Sequence, residues 1–408
     1  MSNILQKLKN GIHMFKTGGV KAVFNRLLNK PVPAKINLLK DLEFIVNTET
    51  IPFNQAEYDA SMKTGNILLN WIIPDVGVGG GGHINIFRFI SMIEDEHVHS
   101  RVYLDASRFY DNKELTEFVH LHYSDVIDTR IEFFYSTSFI SFAHATIATA
   151  WHTAYFVKRF ENTLEKFYFI QDYEPYFFPV GSFYEFAKNT YKFGFKGITA
   201  GDWLKDICIN DFNMQAESFA FSFDKTLYIS KEKKDSVNRV FFYARQNTSR
   251  RDFEIGILAL ELLSKKIPNF EVVFAGGSVD EYEFSFPYRS LEIMPINKLS
   301  DLYSQCDMCL ILSNTNLSLL PLEVMASNSV AVCSVGENST WLVNEENSIL
   351  VDFDPLLIAD KMAYYFQHKE ELAIIREKGY KFAQKTSWEE EGKKVKNYIL
   401  REIKNHDR

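Results

Sequence analysis

Three guanidinium groups crowd one short stretch, Ala244-Arg245-Gln246-Asn247-Thr248-Ser249-Arg250-Arg251-Asp252, directly after the apolar run Val240–Tyr243. Arginine presents a planar, permanently charged fork that matches two phosphate oxygens at once, so Arg245 and Arg250 suit a diphosphate, with Arg251 beside them. A second candidate for phosphate chemistry lies far upstream, in Pro74-Asp75-Val76-Gly77-Val78-Gly79-Gly80-Gly81-Gly82-His83. A loop free of side chains that feeds a helix lets backbone N–H groups approach an anion closely, which makes Gly79, Gly80, Gly81 and Gly82 donor-site candidates. His83 follows the loop and is a candidate to point at the cleft and bind the acceptor. A third candidate is Ser318-Leu319-Leu320-Pro321-Leu322-Glu323, where amides at a helix start would meet phosphate and the Glu323 carboxylate would accept both hydroxyls of a ribose.

The glycine loop also satisfies G-x-G-x-x-G through Gly77, Gly79 and Gly82, and Asp105 stands 23 residues after Gly82, near the place of a ribose-binding acid. That pattern keeps an NAD-dependent oxidoreductase as an alternative. Against it, Pro74-Asp75 separates the first glycine from the strand, and the arginines and Glu323 would have no task. Cys306 and Cys309 form a lone C-x-x-C without a second ligand pair, which reads as core packing rather than zinc or redox chemistry. His144 and His152, in an apolar stretch, read as core histidines.

The elements that must hold these residues alternate short apolar runs with longer helical stretches, as in parallel sheets covered by helices. The first series is Asn66–Ile73, a helix His83–Glu96, Ser100–Leu104, Arg130–Phe134, Phe167–Ile170 and Phe195–Thr199. The second is Val240–Tyr243, a helix Asp252–Lys266, Glu271–Ala275, Glu292–Met294, Met308–Leu312, a helix Pro321–Ser327 and Val330–Cys333. Lys231–Ser236, charged and free of glycine, separates them. The predicted fold is α/β, with two facing Rossmann-like doubly wound domains that bind ligands at the carboxyl ends of their strands. Phe133–Val157 lacks Asp, Glu, Lys and Arg but is rich in Ser, Thr and His, so a buried strand and helix explain it better than a membrane span.

Length and composition set bounds. The 408 residues, 46% hydrophobic with 36 Phe and 20 Tyr, provide for two cores and exclude disorder. A net charge of −8 argues against nucleic acid as a partner. Residues 1–40 carry eight bases and no acid, leaving −16 for the rest. Apolar residues recur near helical spacing in this head, which reads as a basic amphipathic extension suited to an anionic membrane surface through residues 1–30, or to the protein body. Four cysteines fit a reducing cytoplasm.

Residues 60–400 resemble the GT-B-fold glycosyltransferases of family 4, and within them bacterial rhamnosyltransferases of surface polysaccharide synthesis. Arg245 with Arg250 is similar to the Arg…Lys pair of that family, and Leu320-Pro-Leu-Glu323-Val-Met-Ala to the second half of its E-x7-E motif. Thr315 stands where the first Glu would be, a departure compatible with a 6-deoxy sugar. Tyr168–Pro175, with Asp172, Tyr173 and Glu174, is similar to an acceptor-side stretch, and Ser387-Trp388-Glu389 to the start of the family's last helix. The resemblance implies domains at 1–40, 41–230, 231–385 and 386–408, the last returning to the first Rossmann-like domain. It implies transfer of L-rhamnose with retention, from dTDP-rhamnose, to a lipid-linked surface glycan at the inner face of the plasma membrane, without metal or other cofactor. It also implies catalysis by Arg245 and Arg250, action of Asp172 or Glu174 on the acceptor hydroxyl, and Lys298 near the nucleotide. The departure at Thr315 leaves a non-catalytic nucleotide-sugar-binding protein as a further alternative.

Overall fold

The computed structural model describes residues 36–406. The chain divides into two compact units, residues 1–48 and 49–408. Of the first unit, the described part forms two short helices, Leu38–Asp41 and Glu43–Val46. Most of the basic head proposed for membrane docking lies outside the described residues.

The second unit holds two all-parallel sheets. The first is built from β1 (Ile67–Ile73), β2 (Val98–Leu104), β3 (Glu132–Phe134), β4 (Ala143–Ala148), β5 (Thr163–Ile170), β6 (Lys196–Ala200) and β7 (Ala216–Phe219), in the spatial order β3-β2-β1-β4-β5-β6-β7. The second comprises β8 (Asn238–Tyr243), β9 (Phe270–Ala275), β10 (Tyr288–Ser290), β11 (Met308–Ile311), β12 (Val330–Ser334) and β13 (Ile349–Val351), in the order β10-β9-β8-β11-β12-β13. Central strands such as β1 and β11 are apolar almost throughout because helices cover both faces of the sheet. Each order reverses once, between β1 and β4 and between β8 and β11. These reversals open crevices at the carboxyl ends of the strands.

One expected strand needed correction and two strands were not foreseen, all at sheet edges. Glu292–Met294 is not a strand; Glu292 has φ 47°, its carbonyl accepts from the Gly276 amide at 2.6 Å, and the edge strand forms at Tyr288–Ser290 instead. β7 and β13, short edge strands of four and three residues, carry too little pattern to be read from sequence. The charge-free stretch Phe133–Val157 resolves into β4 and the helix Trp151–Arg159, both largely buried. Among the described residues no helix is long and apolar enough to cross a membrane.

The larger hydrophobic core runs from the first sheet into the inward face of the second, joining Phe219 and Phe221 to Leu322 and Met325. Trp341 lies against Gly201, where φ is +91° and a methyl group would sit 2.4 Å from the indole Cδ2. The terminal helix Trp388–His406 packs back on the first sheet. Tyr398 meets Phe167 edge to face, Glu402 pairs with Lys196 at 3.0 Å, and Glu391 accepts from the Ala220 amide at 2.9 Å. Lys231 pairs with Asp301 and Lys233 with Asp307, so the connector between the sheets is fastened to the second one.

Candidate active site

A cleft of about 560 Å³ opens where the two crevices face each other. Gly79, Gly81, Ile84 and Arg88 line it from the β1 side, and Arg245, Thr248, Arg250, Arg251, Ser318, Leu319, Leu320 and Glu323 from the second sheet. The glycine loop and the arginine loop therefore lie across one cavity, each at the reversal point of its own sheet.

On the first side, the helix begins at Gly81, two residues earlier than expected, with Gly80 as its cap and no capping side chain. Its first amides are thus left without an intrahelical acceptor. Gly79 has φ +73°, and a Cβ at Gly77, Gly79 or Gly81 would meet nothing within 4 Å. Packing does not demand small residues at these three positions, where the bare backbone leaves open space, whereas a Cβ at Gly80 would lie 3.0 Å from His83 Nδ1. Tyr123 fixes the loop by donating its hydroxyl proton to the Gly77 carbonyl. His83 is half-buried with Nε2 unpaired and does not line the cleft. Burial lowers its pKa, opposed by the Pro74 carbonyl and Asp75.

On the second side, Arg245 is exposed, stacks 4.7 Å from the centre of the Tyr243 ring and donates to its hydroxyl. Arg250 lies 4.2 Å from the centre of the Phe177 ring, and its Nε, buried without a hydrogen-bond partner, is 3.9 Å from Asp172 Oδ2. Arg251 differs from expectation. It borders the cleft, but its Nη1 donates to Ser313 Oγ at 3.0 Å and to the Asn316 carbonyl at 2.9 Å, so this residue also shapes the loop after β11. The Ser318 amide likewise donates to Asn316 Oδ1 at 2.9 Å and is not available to phosphate. Lys298 is exposed in the helix Ile296–Ser304 and does not line the cleft.

Glu323 stands at the cleft floor near Tyr228 and Arg88. Burial raises its pKa to about 7 against the pull of a hydrogen bond from Tyr228 and the charge of Arg88. Arg88 donates to Asn85 Oδ1 at 3.0 Å and stacks on Trp388 at 4.6 Å, so a residue of the first domain supplies the counter-charge to a carboxylate of the second.

The acceptor-side carboxylates also take places that sequence did not foresee. Asp172, buried after β5, does not line the cleft but turns to the loop after β11 of the second sheet. Oδ2 accepts from Thr315 Oγ1 at 2.9 Å, and Oδ1 accepts from the Asn316 amide at 3.1 Å and from the Tyr173 amide at 2.9 Å. Asn316 answers by donating Nδ2 to the Gln171 carbonyl at 3.1 Å. Burial raises the Asp172 pKa against the pull of Arg251, the Asn316 amide, Arg250 and Thr315. Three of the carboxylate's roughly four acceptor positions are occupied and the residue is buried, so it serves as a tie between the domains rather than as an accessible base. Glu174 is buried and accepts from the Trp151 amide at 2.6 Å, so it caps a helix; burial pushes its pKa up to about 7. Tyr173 is buried between Tyr176, Tyr191 and Phe212.

Two residues that sequence dismissed or assigned elsewhere meet at the carboxyl ends of β4 and β2. His152 Nδ1 is 3.0 Å from Asp105 Oδ2, with both side chains partly exposed. His144, by contrast, is buried and accepts from the Leu68 amide at 3.0 Å, as expected of a core histidine. The difference lies in position: His144 is inside β4, whereas His152 is on the helix that follows it. Arg88 and Tyr228 were also missed; a basic residue on the otherwise apolar helix Gly81–Ile93 was the available signal for the former. Cys306 and Cys309 are both buried, and burial pushes the Cys306 thiol up to about 12. Among the described residues no group of three or more His, Cys, Asp or Glu side chains is arranged to hold a metal.

Residues 238–363 match the family described as WsaF, C-terminal domain. The O-antigen biosynthesis protein RfbC of Myxococcus xanthus is 30% identical over 260 residues, 62% of this chain but 20% of the relative's length. Among solved structures, sucrose-phosphate synthase of Thermosynechococcus elongatus is 13% identical with a TM-score of 0.60, covering 83% of this chain and 99% of its own. Anabaena HepE, solved with UDP and glucose, is 13% identical with a TM-score of 0.61 over 82% of this chain and 100% of its own. TarM is 10% identical with a TM-score of 0.62 over 82% and 98%. The chain has the two-domain Rossmann-like GT-B fold.

Proposed function

We propose that this chain is a glycosyltransferase of polysaccharide biosynthesis that moves a sugar from a nucleoside-diphosphate donor to a glycan. The observation that carries this reading is the shared cleft, which Arg245 and Arg250 line from one sheet and the uncapped helix start at Gly81 from the other, with Glu323 on the floor. A diphosphate held there would have its departing charge stabilised by preorganised cations and backbone dipoles in a partly dry cavity. Glu323, ionised, would accept from the ribose hydroxyls. The scheme calls on no metal ion, because Arg245 and Arg250 supply the positive charge.

The match to an O-antigen biosynthesis protein and to WsaF supports polysaccharide synthesis as the setting. HepE was solved with UDP-glucose, and S. aureus TarM with UDP and glycan ligands, which supports the donor and acceptor classes. For the donor we favour dTDP-rhamnose, since Thr315 in place of a Glu removes one polar contact and a 6-deoxy sugar has one hydroxyl fewer. The acceptor is a surface glycan, lipid-linked, and transfer proceeds with retention. The His152–Asp105 pair takes over the acceptor-side polar role first assigned to Asp172 and Glu174, because its side chains remain accessible.

A thermal-shift panel of dTDP, UDP, their sugars and NAD tests the reading. Stabilisation by a nucleoside diphosphate and not by NAD is expected, and Arg245→Ala should weaken it by about tenfold to a hundredfold, the worth of a charge-assisted hydrogen bond. No response to any nucleotide, or equal affinity in the variant, refutes it. Product formation from dTDP-rhamnose separates a transferase from a protein that only binds.

A further inference from the structure

Beside the cleft, and outside its lining, an aromatic surface remains unused by the function proposed above. Four large apolar side chains are exposed within eight residues: Tyr176 at 49%, Phe177 at 37%, Val180 at 87% and Phe183 at 47%. They extend a group of rings set at right angles. Trp151 meets Phe178 at 5.8 Å and 85°, and Phe183 at 6.4 Å and 88°, while Phe178 and Phe183 are 5.6 Å apart. The result is a corner with aromatic walls. Clustered exposed apolar side chains of this kind mark a binding surface more often than solvent-facing decoration.

The surroundings say what the corner would hold. Its inner end is continuous with the diphosphate cleft, since Phe177 stacks under Arg250 at 4.2 Å. The Trp151 ring also lies 5.8 Å from His152, which Asp105 holds at 3.0 Å, so a hydrogen-bonding side chain adjoins the rings. With Glu174 buried, the surface of residues 174–192 carries Glu185 against Lys188 and Lys192, an excess of a single base and far short of a polybasic cluster. An anionic lipid surface recruits clusters of about four to eight bases, and this segment has no such cluster. An uncharged ligand with apolar C–H faces and a rim of hydroxyls fits both features: the C–H groups carry partial positive charge and are drawn to the negative faces of the rings, and the hydroxyls reach the imidazole.

We propose that Trp151, Phe178 and Phe183, with His152 at their edge, form a carbohydrate-binding subsite that seats a pyranose of the acceptor glycan next to the donor diphosphate. The inference rests on the transferase reading and adds the residues that recognise the acceptor. Trp151 and Phe178 are partly buried walls, whereas Phe183 is the exposed ring of the three and the one on which a substitution can be tested.

Saturation-transfer NMR on the full chain, with methyl α-L-rhamnoside, methyl α-D-glucoside and methyl β-N-acetylglucosaminide as probes, tests the subsite. Transfer to ring C–H protons of at least one glycoside is expected, weakened about three- to tenfold in Phe183→Ala, the worth of one aromatic contact, and restored in Phe183→Tyr. Binding of dTDP or UDP, measured in parallel, should be the same in all three proteins. If wild-type protein binds a nucleoside diphosphate but no glycoside, or if Phe183→Ala leaves transfer unchanged, the subsite is refuted while the transferase reading stands. If no nucleotide binds yet glycosides make contact, the transferase reading fails and the subsite survives. Sedimentation with phosphatidylcholine–phosphatidylglycerol vesicles that is lost in Phe183→Ala identifies the patch as a lipid surface and overturns the proposal.

Discussion

Replacing Asp172 by alanine should loosen the two sheets from each other. The carboxylate of a first-domain residue accepts two hydrogen bonds from the second domain, from Thr315 Oγ1 at 2.9 Å and the Asn316 amide at 3.1 Å, and faces Arg250 Nε at 3.9 Å. Hydrogen bonds to a charged group contribute about 1.5–3 kcal/mol each, so the two together are worth about 3–6 kcal/mol. Removing one partner of a buried charged contact costs about 3–5 kcal/mol independently of that count, because the remaining groups stay desolvated. We therefore expect a loss of about 3–5 kcal/mol in Asp172→Ala and a smaller loss of about 1–2 kcal/mol in Asp172→Asn, whose amide oxygen still accepts from one donor. Urea unfolding followed by circular dichroism gives the energy, and small-angle scattering reports whether the domains part. Donor binding serves as a further check: Arg250 keeps its place over Phe177 only while the loop after β11 is held, so dTDP affinity should fall with the stability of the contact. An Asp172→Ala protein with an unchanged urea midpoint and an unchanged scattering profile would falsify the claim that this carboxylate ties the domains together.

Titration offers two further tests of opposite purpose. Glu174 has a folded pKa raised from 4.5 to about 7 by burial, so its contribution is fully present below the unfolded value and lost as pH rises through about 7. Glu174→Gln, which keeps an acceptor for the Trp151 amide, should match wild type near pH 4 and be more stable by up to about 3 kcal/mol near pH 8; an equal loss at both pH values in urea titrations sinks the idea. Glu323, also raised to about 7, accepts from two ribose hydroxyls with both oxygens only when ionised, so calorimetric affinity for dTDP should climb between about pH 6 and 8 and Glu323→Gln should flatten that climb. At the interface, Gly201→Ala places a methyl group 2.4 Å from Trp341 Cδ2 in a backbone with φ +91°, and a cost of about 2–4 kcal/mol is expected by urea unfolding. A midpoint within error of wild type would show that Trp341 yields freely.

Local pattern carried much of this protein. Apolar runs as continuous as Ile67–Ile73 form central parallel strands because both faces of such a sheet are covered, and the glycine and arginine loops follow their strands by chain order alone. That was enough to read two doubly wound sheets and to choose Arg245, Arg250, Gly79, Gly81 and Glu323, all of which meet at one cleft. Of the four edge strands only β3 was legible; β7, β10 and β13 escaped because an edge strand is paired on one side only and its sequence need not be apolar.

What residue type and spacing could not determine was direction. Asp172 and Glu174 carry the right chemistry in the right segment, yet one faces Thr315 of the other domain and the other caps a helix, because buried carboxylates turn toward whatever donors the packing offers. Arg251, adjacent in sequence to Arg250, turns into the loop after β11 while its neighbour faces Phe177. Asp105 and His152, 47 residues apart, are joined only by the parallel order β2-β1-β4. The sequence by itself settled which groups are present and which strand ends carry them. The tertiary structure alone decided which of them remain free, since that depends on hydrogen-bond partners brought in from distant parts of the chain.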